Sequence, residues 1–322
     1  MRPSRLNTRA AGLLLGHLAD RLLGDPRRLH PVAGFGTVAA ALEERTHADS
    51  RARGAAYTAL LVGGAAALGV TVERAAARHP AAHLAVTAAA TWAVLGGRTL
   101  EREATAVHTR LAAPDLPAAR LRLRSLVGRD TTTLDEAQIA RAVVESVAEN
   151  TSDAVVAPLV WGAAAGVPGL LAYRAANTLD AMVGHRTPRH ERFGWASARL
   201  DDLLNLPGSR LAGVLTAVTS PAGPAAPLRA WRRDAAAHPS PNAGVVEASF
   251  AGALGIRLGG TNRYGARTEQ RAVMGDGPPP APADIPRATA LARRVCLAAA
   301  ITAAAGAAGA SALRRRSGAR GC

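Results

Sequence analysis

Residues 139–173 read IARAVVESVAENTSDAVVAPLVWGAAAGVPGLLAY, and the fold class turns on them. From Ile139 to Asp153 the segment has helical periodicity and places Glu145, Glu149 and Asp153 at successive i, i+4 positions, so three carboxylates share one stripe. From Ala154 to Tyr173 it is apolar, near the ~20 residues a helix needs to cross a bilayer. No alternating strand pattern, heptad run or internal repeat stands out elsewhere. The expected class is therefore all-α: a multi-pass integral membrane helical protein with polar, motif-bearing loops.

A carboxylate stripe is most simply a solvated face. At the mouth of a membrane segment, however, aligned carboxylates are costly unless paired or bound to a cation. Mg²⁺ is commonly held by one or two carboxylates together with phosphate oxygens, which makes Glu145, Glu149 and Asp153 the expected metal ligands. A simple span over Ala154–Tyr173 would put this stripe and the polar residues after Tyr173 on opposite sides of the bilayer. Pro158 and Pro168, with Gly162, Gly166 and Gly169, point instead to a broken or re-entrant segment.

Further apolar stretches run over Ala55–Val72, Ala82–Gly97, a weaker Leu211–Ala226, and Val295–Leu313. None is strongly hydrophobic, and the mean hydropathy of the whole chain is +0.06, a value that Ala-rich soluble bundles share. High Ala and Gly content also suits close packing between membrane helices. The N-terminal AAGLLLG run imitates a signal peptide, but His17, Asp20 and Arg21 interrupt it, so it is expected to be retained. One domain over residues 1–322 is expected, with a motif-bearing core at about 12–275. Residues 276–322 form a linker, a C-terminal apolar helix and an Arg-rich tail.

All 39 basic residues are Arg, and the formal net charge is +15. Without Lys there is no Walker A loop, which needs Lys at the β/γ-phosphates, and no pyridoxal-phosphate Schiff base. Aromatic residues make up only 3% of the chain, too few for a stacking nucleic-acid surface, so no nucleic-acid partner is expected. Positive charge in cytoplasmic loops is the better account. Cys296 and Cys322 form no metal or redox spacing.

The remaining polar groups cluster in two places. YRAANTLDAMVGH (173–185) brings Asn177, Asp180, Gly184 and His185, followed by Arg186, with Asp201, Asp202 and Asn205 beyond. HPSPNAG (238–244) brings His238, Ser240 and Asn242 ahead of an apolar helix containing Glu247, and a Gly259–Gly260 turn suited to holding phosphate on backbone amides follows.

In order along the chain, GDP (24–26), HPV (30–32), RDT (129–131), VESVAEN (144–150), VVAPL (155–159), YRAANTLDAMVGH (173–185) and HPSPNAG (238–244) resemble the CobD/CbiB family. The short motifs are unspecific alone; the two long blocks are specific. The resemblance implies a multi-pass protein of the cytoplasmic membrane with its active site facing the cytoplasm. It implies adenosylcobinamide-phosphate synthesis, in which adenosylcobyric acid is joined through an amide bond to (R)-1-aminopropan-2-ol O-phosphate or a related amino alcohol. ATP as co-substrate, Mg²⁺ and association with other corrinoid-pathway enzymes are implied with it.

On residue type and matched position, Asp180 joins the metal-binding carboxylates. Arg129, Arg174 and Arg186, with Asn177 and Asn242, are expected to bind phosphate or substrate, and His185 or His238 to take a proton from the attacking amine. A transporter, or a ligand-binding or regulatory membrane protein of related fold, is the competing class, because polar groups flanking a broken segment also describe a substrate pathway.

Overall fold

The computed structural model describes residues 5–26, 30–113, 115–185, 187–264 and 267–318, with the side chains of 5–7, 262–264, 267–269 and 310–318 outside the description. The described helices are, in order, α1 (Arg5–Leu23), α2 (Pro31–Thr46), α3 (Arg51–Ala76), α4 (Pro80–Val94), α5 (Gly97–Ala112), α6 (Leu116–Leu123) and α7 (Glu136–Thr151). A π-helical turn (Ser152–Val156) leads into α8 (Ala157–Ala165) and α9 (Val167–Leu179), and a second π turn (Asp180–Gly184) precedes α10 (Trp195–Thr219). Then come α11 (Ala225–Asp234), α12 (Ala243–Leu254), strands β1 (Leu258–Tyr264) and β2 (Arg267–Met274), and α13 (Asp284–Gly318).

The all-α expectation holds, apart from one antiparallel hairpin that sequence reading did not name. Its first strand, LGGTNRY, is Gly-rich and polar and carries neither β-branched alternation nor an apolar run, so no strand signal was present.

Among the described residues two helices are long and apolar enough to cross a membrane, Arg51–Ala76 and Asp284–Gly309. They contain the expected span Ala55–Val72 and most of Val295–Leu313. The other three expected spans are not single long helices. α4 has 15 residues, about 22 Å at a rise of 1.5 Å per residue, short of a hydrocarbon core of about 30 Å. Leu211–Ala226 is cut where α10 ends at Thr219. Ala154–Tyr173 is divided among the first π turn, α8 and α9, with the break at Gly166, whose φ of 73° is one that residues with a Cβ rarely adopt. Only 17% of the apolar window of α3 is buried, against 50% for α13. A soluble core helix hides such a window; α3 leaves Leu60 and Leu68 more than half exposed.

The chain forms two compact units: Met1–Gly96 with Ala157–Asn205 and Ala299–Cys322, and Gly97–Val156 with Leu206–Ala298. In the first, α1 packs on α4 through Gly12 and Gly16. A Cβ at either would lie 2.6 or 2.4 Å from the Cβ of Thr87 or Thr91, so the GLLLG spacing is what lets the two backbones approach. Both threonine hydroxyls donate to carbonyls one turn back and bring no unpaired polar group into the contact. A second apolar cluster joins Ala39, Tyr57, Leu61, Leu179, Val183 and Phe193, and the Tyr57 hydroxyl donates to the Ala39 carbonyl at 3.0 Å.

The second unit is built around α7 and α12. Most of their residues are buried on every face, the pattern of interior helices. α7 starts at a capping box: Asp135 accepts from the Gln138 amide at 2.8 Å, and the Gln138 side chain accepts from the Asp135 amide at 2.9 Å. α5 lays Leu100, Ala104, Val107 and Leu111 along one buried stripe. This packing carries Glu145 of α7 and Glu247 of α12 into the interior, while Glu136 and Glu149 stay exposed.

Candidate functional site

In the second unit the interior carboxylate of α7 is Glu145. Its Oε2 accepts from Arg129 Nη2 at 2.7 Å, and its Oε1 accepts from the Gly259 amide at 3.0 Å. The β1–β2 register is irregular between Leu258 and Gly260, and such a bulge releases a residue from ladder pairing; here it lets Gly259 turn its N–H to the carboxylate. Arg141 lies 3.8 Å from the same Oε1 and donates to the carbonyls of Gly259 and Thr261, the latter at 2.7 Å. The Gly259 amide, read from sequence as part of a phosphate-holding turn, is thus engaged by Glu145.

Glu247, one turn into α12, is 1% exposed, and its Oε2 has no hydrogen-bond partner among the described residues. Burial, then the nearby charges of Glu145 and Glu149, push its carboxyl well above the usual range, only partly opposed by Arg271 and Arg129. Its Oε1 lies 3.8 Å from His238 Nε2. His238 is itself held: Nδ1 accepts from the Ser240 amide at 3.0 Å, while the Ser240 hydroxyl accepts from the amides of Asn242 and Ala243 at 3.2 Å, just ahead of α12. Asn242 Oδ1 accepts from Ser209 Oγ at 2.9 Å and Arg210 Nη1 at 2.7 Å. The HPSPN block is a tightly bonded turn.

The first unit holds a second cluster. Asp201 is 8% exposed; Oδ1 accepts from Asn177 at 3.3 Å and Oδ2 from Asn205 at 2.9 Å. Tyr173 donates to Asn205 at 2.6 Å, and Arg174 donates to Asn177 at 3.4 Å. Asp180 opens the second π turn, and its Oδ1 folds back over Gly184 so closely that a Cβ there would lie 1.9 Å away. The Asp201 carboxyl is pushed up to about 7, first by burial and then by the Asp180 charge, although the two Asn side chains oppose the shift.

A carboxyl raised in the folded state stabilises the fold fully below its unfolded pKa, and that contribution is lost as pH rises through the folded value. The Asp201 contribution to thermal stability is therefore expected to fall between pH 4 and 8 and to be gone just above 7. Asp201→Asn should flatten this dependence, and an unchanged pH profile in that variant would rule Asp201 out as its source.

Of the residues singled out from sequence, Arg174, Asn177 and Asp180 fall together in the first unit, with His185 exposed at the end of the π turn. Arg186 lies outside the described residues. Arg129, Glu145, His238 and Asn242 are buried in the second unit, where Glu149 is exposed on α7 and Asp153 is half-buried in the first π turn. Because the helix winds wider from Ser152, the i, i+4 stripe does not continue from Glu149 to Asp153 as on a regular helix. Both π turns in the described chain carry acidic motif residues, Asp153 and Asp180, and such bulges are frequent at functional sites.

Asp201 and Glu247 were noticed in sequence but given no role. The signal for Glu247 was a lone charge inside the otherwise apolar AGVVEASFAGAL. For Asp201 it was the i, i+4 pair with Asn205. Among the described residues no group of three or more His, Cys, Asp and Glu side chains is arranged to hold a metal ion.

The profile of the CobD/Cbib protein family matches residues 13–292. The chain belongs to that family. Relatives in it include the cobalamin biosynthesis protein CobD of Mycobacterium tuberculosis, 51% identical over 303 residues that cover 93% of this chain and 96% of the relative. Proteins of the same name from Geobacter metallireducens and Chromobacterium violaceum are each 44% identical, over 83% and 86% of this chain and 86% and 90% of theirs. No solved structure matches the chain. The family match takes in both units and every motif block from HPV (30–32) to HPSPNAG (238–244).

Proposed function

We propose that the chain acts in cobalamin biosynthesis as a membrane-bound adenosylcobinamide-phosphate synthase, joining adenosylcobyric acid to (R)-1-aminopropan-2-ol O-phosphate or a related amino alcohol at the expense of ATP. The observation that carries the reading is the near full-length identity with proteins named for cobalamin biosynthesis. The outward apolar face of α3 supports membrane attachment, and the cytoplasmic membrane, with the chemistry facing the cytoplasm, is the proposed location. Amide formation from a carboxylic acid needs a better leaving group than hydroxide. In the proposed route the corrinoid carboxyl takes a phosphoryl group from ATP. The neutral amine then attacks the acyl phosphate, phosphate departs, and one proton is given up.

The first-unit cluster has the chemistry for part of this. Asp180 and Asp201 supply two carboxylates, and the side-chain amides of Asn177 and Asn205 donate to Asp201. That suits a Mg²⁺ ion shared with phosphate oxygens, which needs only one or two protein carboxylates; among the described residues no larger group of ligands is arranged to hold an ion. Such an ion would offset charge on a transferring phosphoryl group. Glu145 is less suited to the same task, because its charge is already paired with the buried Arg129 guanidinium 2.7 Å away. Between the two histidines, exposure favours His185 as proton acceptor, whereas the nitrogens of His238 face Ser240 and Glu247.

The deciding experiment is mass spectrometry of products from purified protein given adenosylcobyric acid, ATP, Mg²⁺ and each amino alcohol in turn. A corrinoid heavier by the amino-alcohol phosphate less water, formed only with ATP, is the expected product. Binding of the corrinoid without turnover under every condition would favour the carrier or regulator class instead.

A further inference from the structure

The first unit contains a cavity of about 320 Å³ between α2, α3, α4 and α9 that the proposed chemistry does not use. Phe35, Leu60, Gly64, Leu68 and Val94 give it an apolar wall, and Arg174 is its charged lining residue. Two features indicate what fills it. Leu60 and Leu68, at 63% and 58% exposure, belong to the outward face of α3, so the cavity is continuous with the apolar surface of a helix long enough to cross a bilayer. An occupant can therefore enter from the hydrocarbon. The lining also includes the Arg174 guanidinium in a mostly apolar wall, which calls for an anionic end on an apolar body.

We propose that this cavity is a binding site for one acyl chain of an anionic bilayer phospholipid, with the lipid phosphate paired to Arg174. The inference rests on α3 lying in a membrane. It assigns Arg174 to a lipid phosphate and not to a nucleotide. Through the Arg174–Asn177–Asp201 hydrogen bonds, lipid occupancy also bears on the position of the carboxylate cluster.

Gly64 provides the test, because a Cβ at that position meets no heavy atom within 4 Å and a larger side chain enters open space. The full chain is purified in detergent, stripped of lipid, and titrated with phosphatidylglycerol, phosphatidylcholine or inorganic phosphate under native mass spectrometry. The expected result is one saturable phosphatidylglycerol, bound at least tenfold more tightly than phosphatidylcholine, and at least tenfold weaker binding in Gly64→Phe with unchanged thermal unfolding. Gly64→Leu serves if the larger residue disturbs folding. Equal lipid affinity in wild type and a folded Gly64 variant overturns the site, as does displacement of the lipid by inorganic phosphate alone. Carbonate extraction of native membranes separates the two ideas: release of the protein removes the membrane reading, whereas retention with an indifferent Gly64 variant removes only the lipid site.

Discussion

Arg129→Ala is expected to cost the second unit about 3–5 kcal/mol, the usual penalty for leaving one partner of a buried ion pair uncompensated. Both side chains of the Arg129–Glu145 pair are under a tenth exposed and meet at 2.7 Å. Without the guanidinium, Glu145 keeps the Gly259 amide and the more distant Arg141, and Glu247 loses one of the two arginines that temper its raised carboxyl. Two buried acids then face one another with less positive charge between them. Against a total stability of about 5–15 kcal/mol this loss is large. Thermal or denaturant unfolding of the purified protein should register it directly. The double variant Arg129→Met with Glu145→Leu should recover most of the loss, because it removes both charges and fills similar volume. An Arg129→Ala protein as stable as wild type would mean that the pair is solvated.

If Asp180 serves the proposed amide synthesis, Asp180→Ala is expected to lower it by about 10²–10³-fold, the effect of removing one electrostatic stabiliser of a transition state, while membrane insertion stays intact. A second readout separates a role in the carboxylate pair from general damage. Asp180 is one cause of the raised Asp201 carboxyl, so its removal should move the pH at which stability is lost below about 7. Gly184→Ala should reproduce the activity loss with the Asp180 carboxylate still present, since the new methyl would occupy the space of its Oδ1. Full activity in Asp180→Ala would take that residue out of the chemistry.

Much of the fold was legible without coordinates because helical signals are local. The 3.6-residue periodicity, the run of small residues and the Pro/Gly break after α8 all act within one or two turns of chain, and the break fell at Gly166 as the glycines implied. Span count was legible less well. Hydropathy averages over a window and does not register that α4 stops at 15 residues or that α10 ends at Thr219. The hairpin was missed because its stability comes from docking, through Glu145 and Arg141, and not from strand propensity.

Family, all-helical class and the polar motif blocks were thus set by the sequence alone, since each depends on residue identity and short-range spacing. Which carboxylates are available for chemistry was decided only in three dimensions. Glu145, the expected metal ligand, is neutralised by an arginine sixteen residues earlier and an amide 114 residues later. Glu247 and Asp201, unassigned from sequence, become acids with raised carboxyls because packing removes water from them and places like charges beside them. Desolvation and Coulomb interaction depend on distances through space, which neighbours in sequence do not determine.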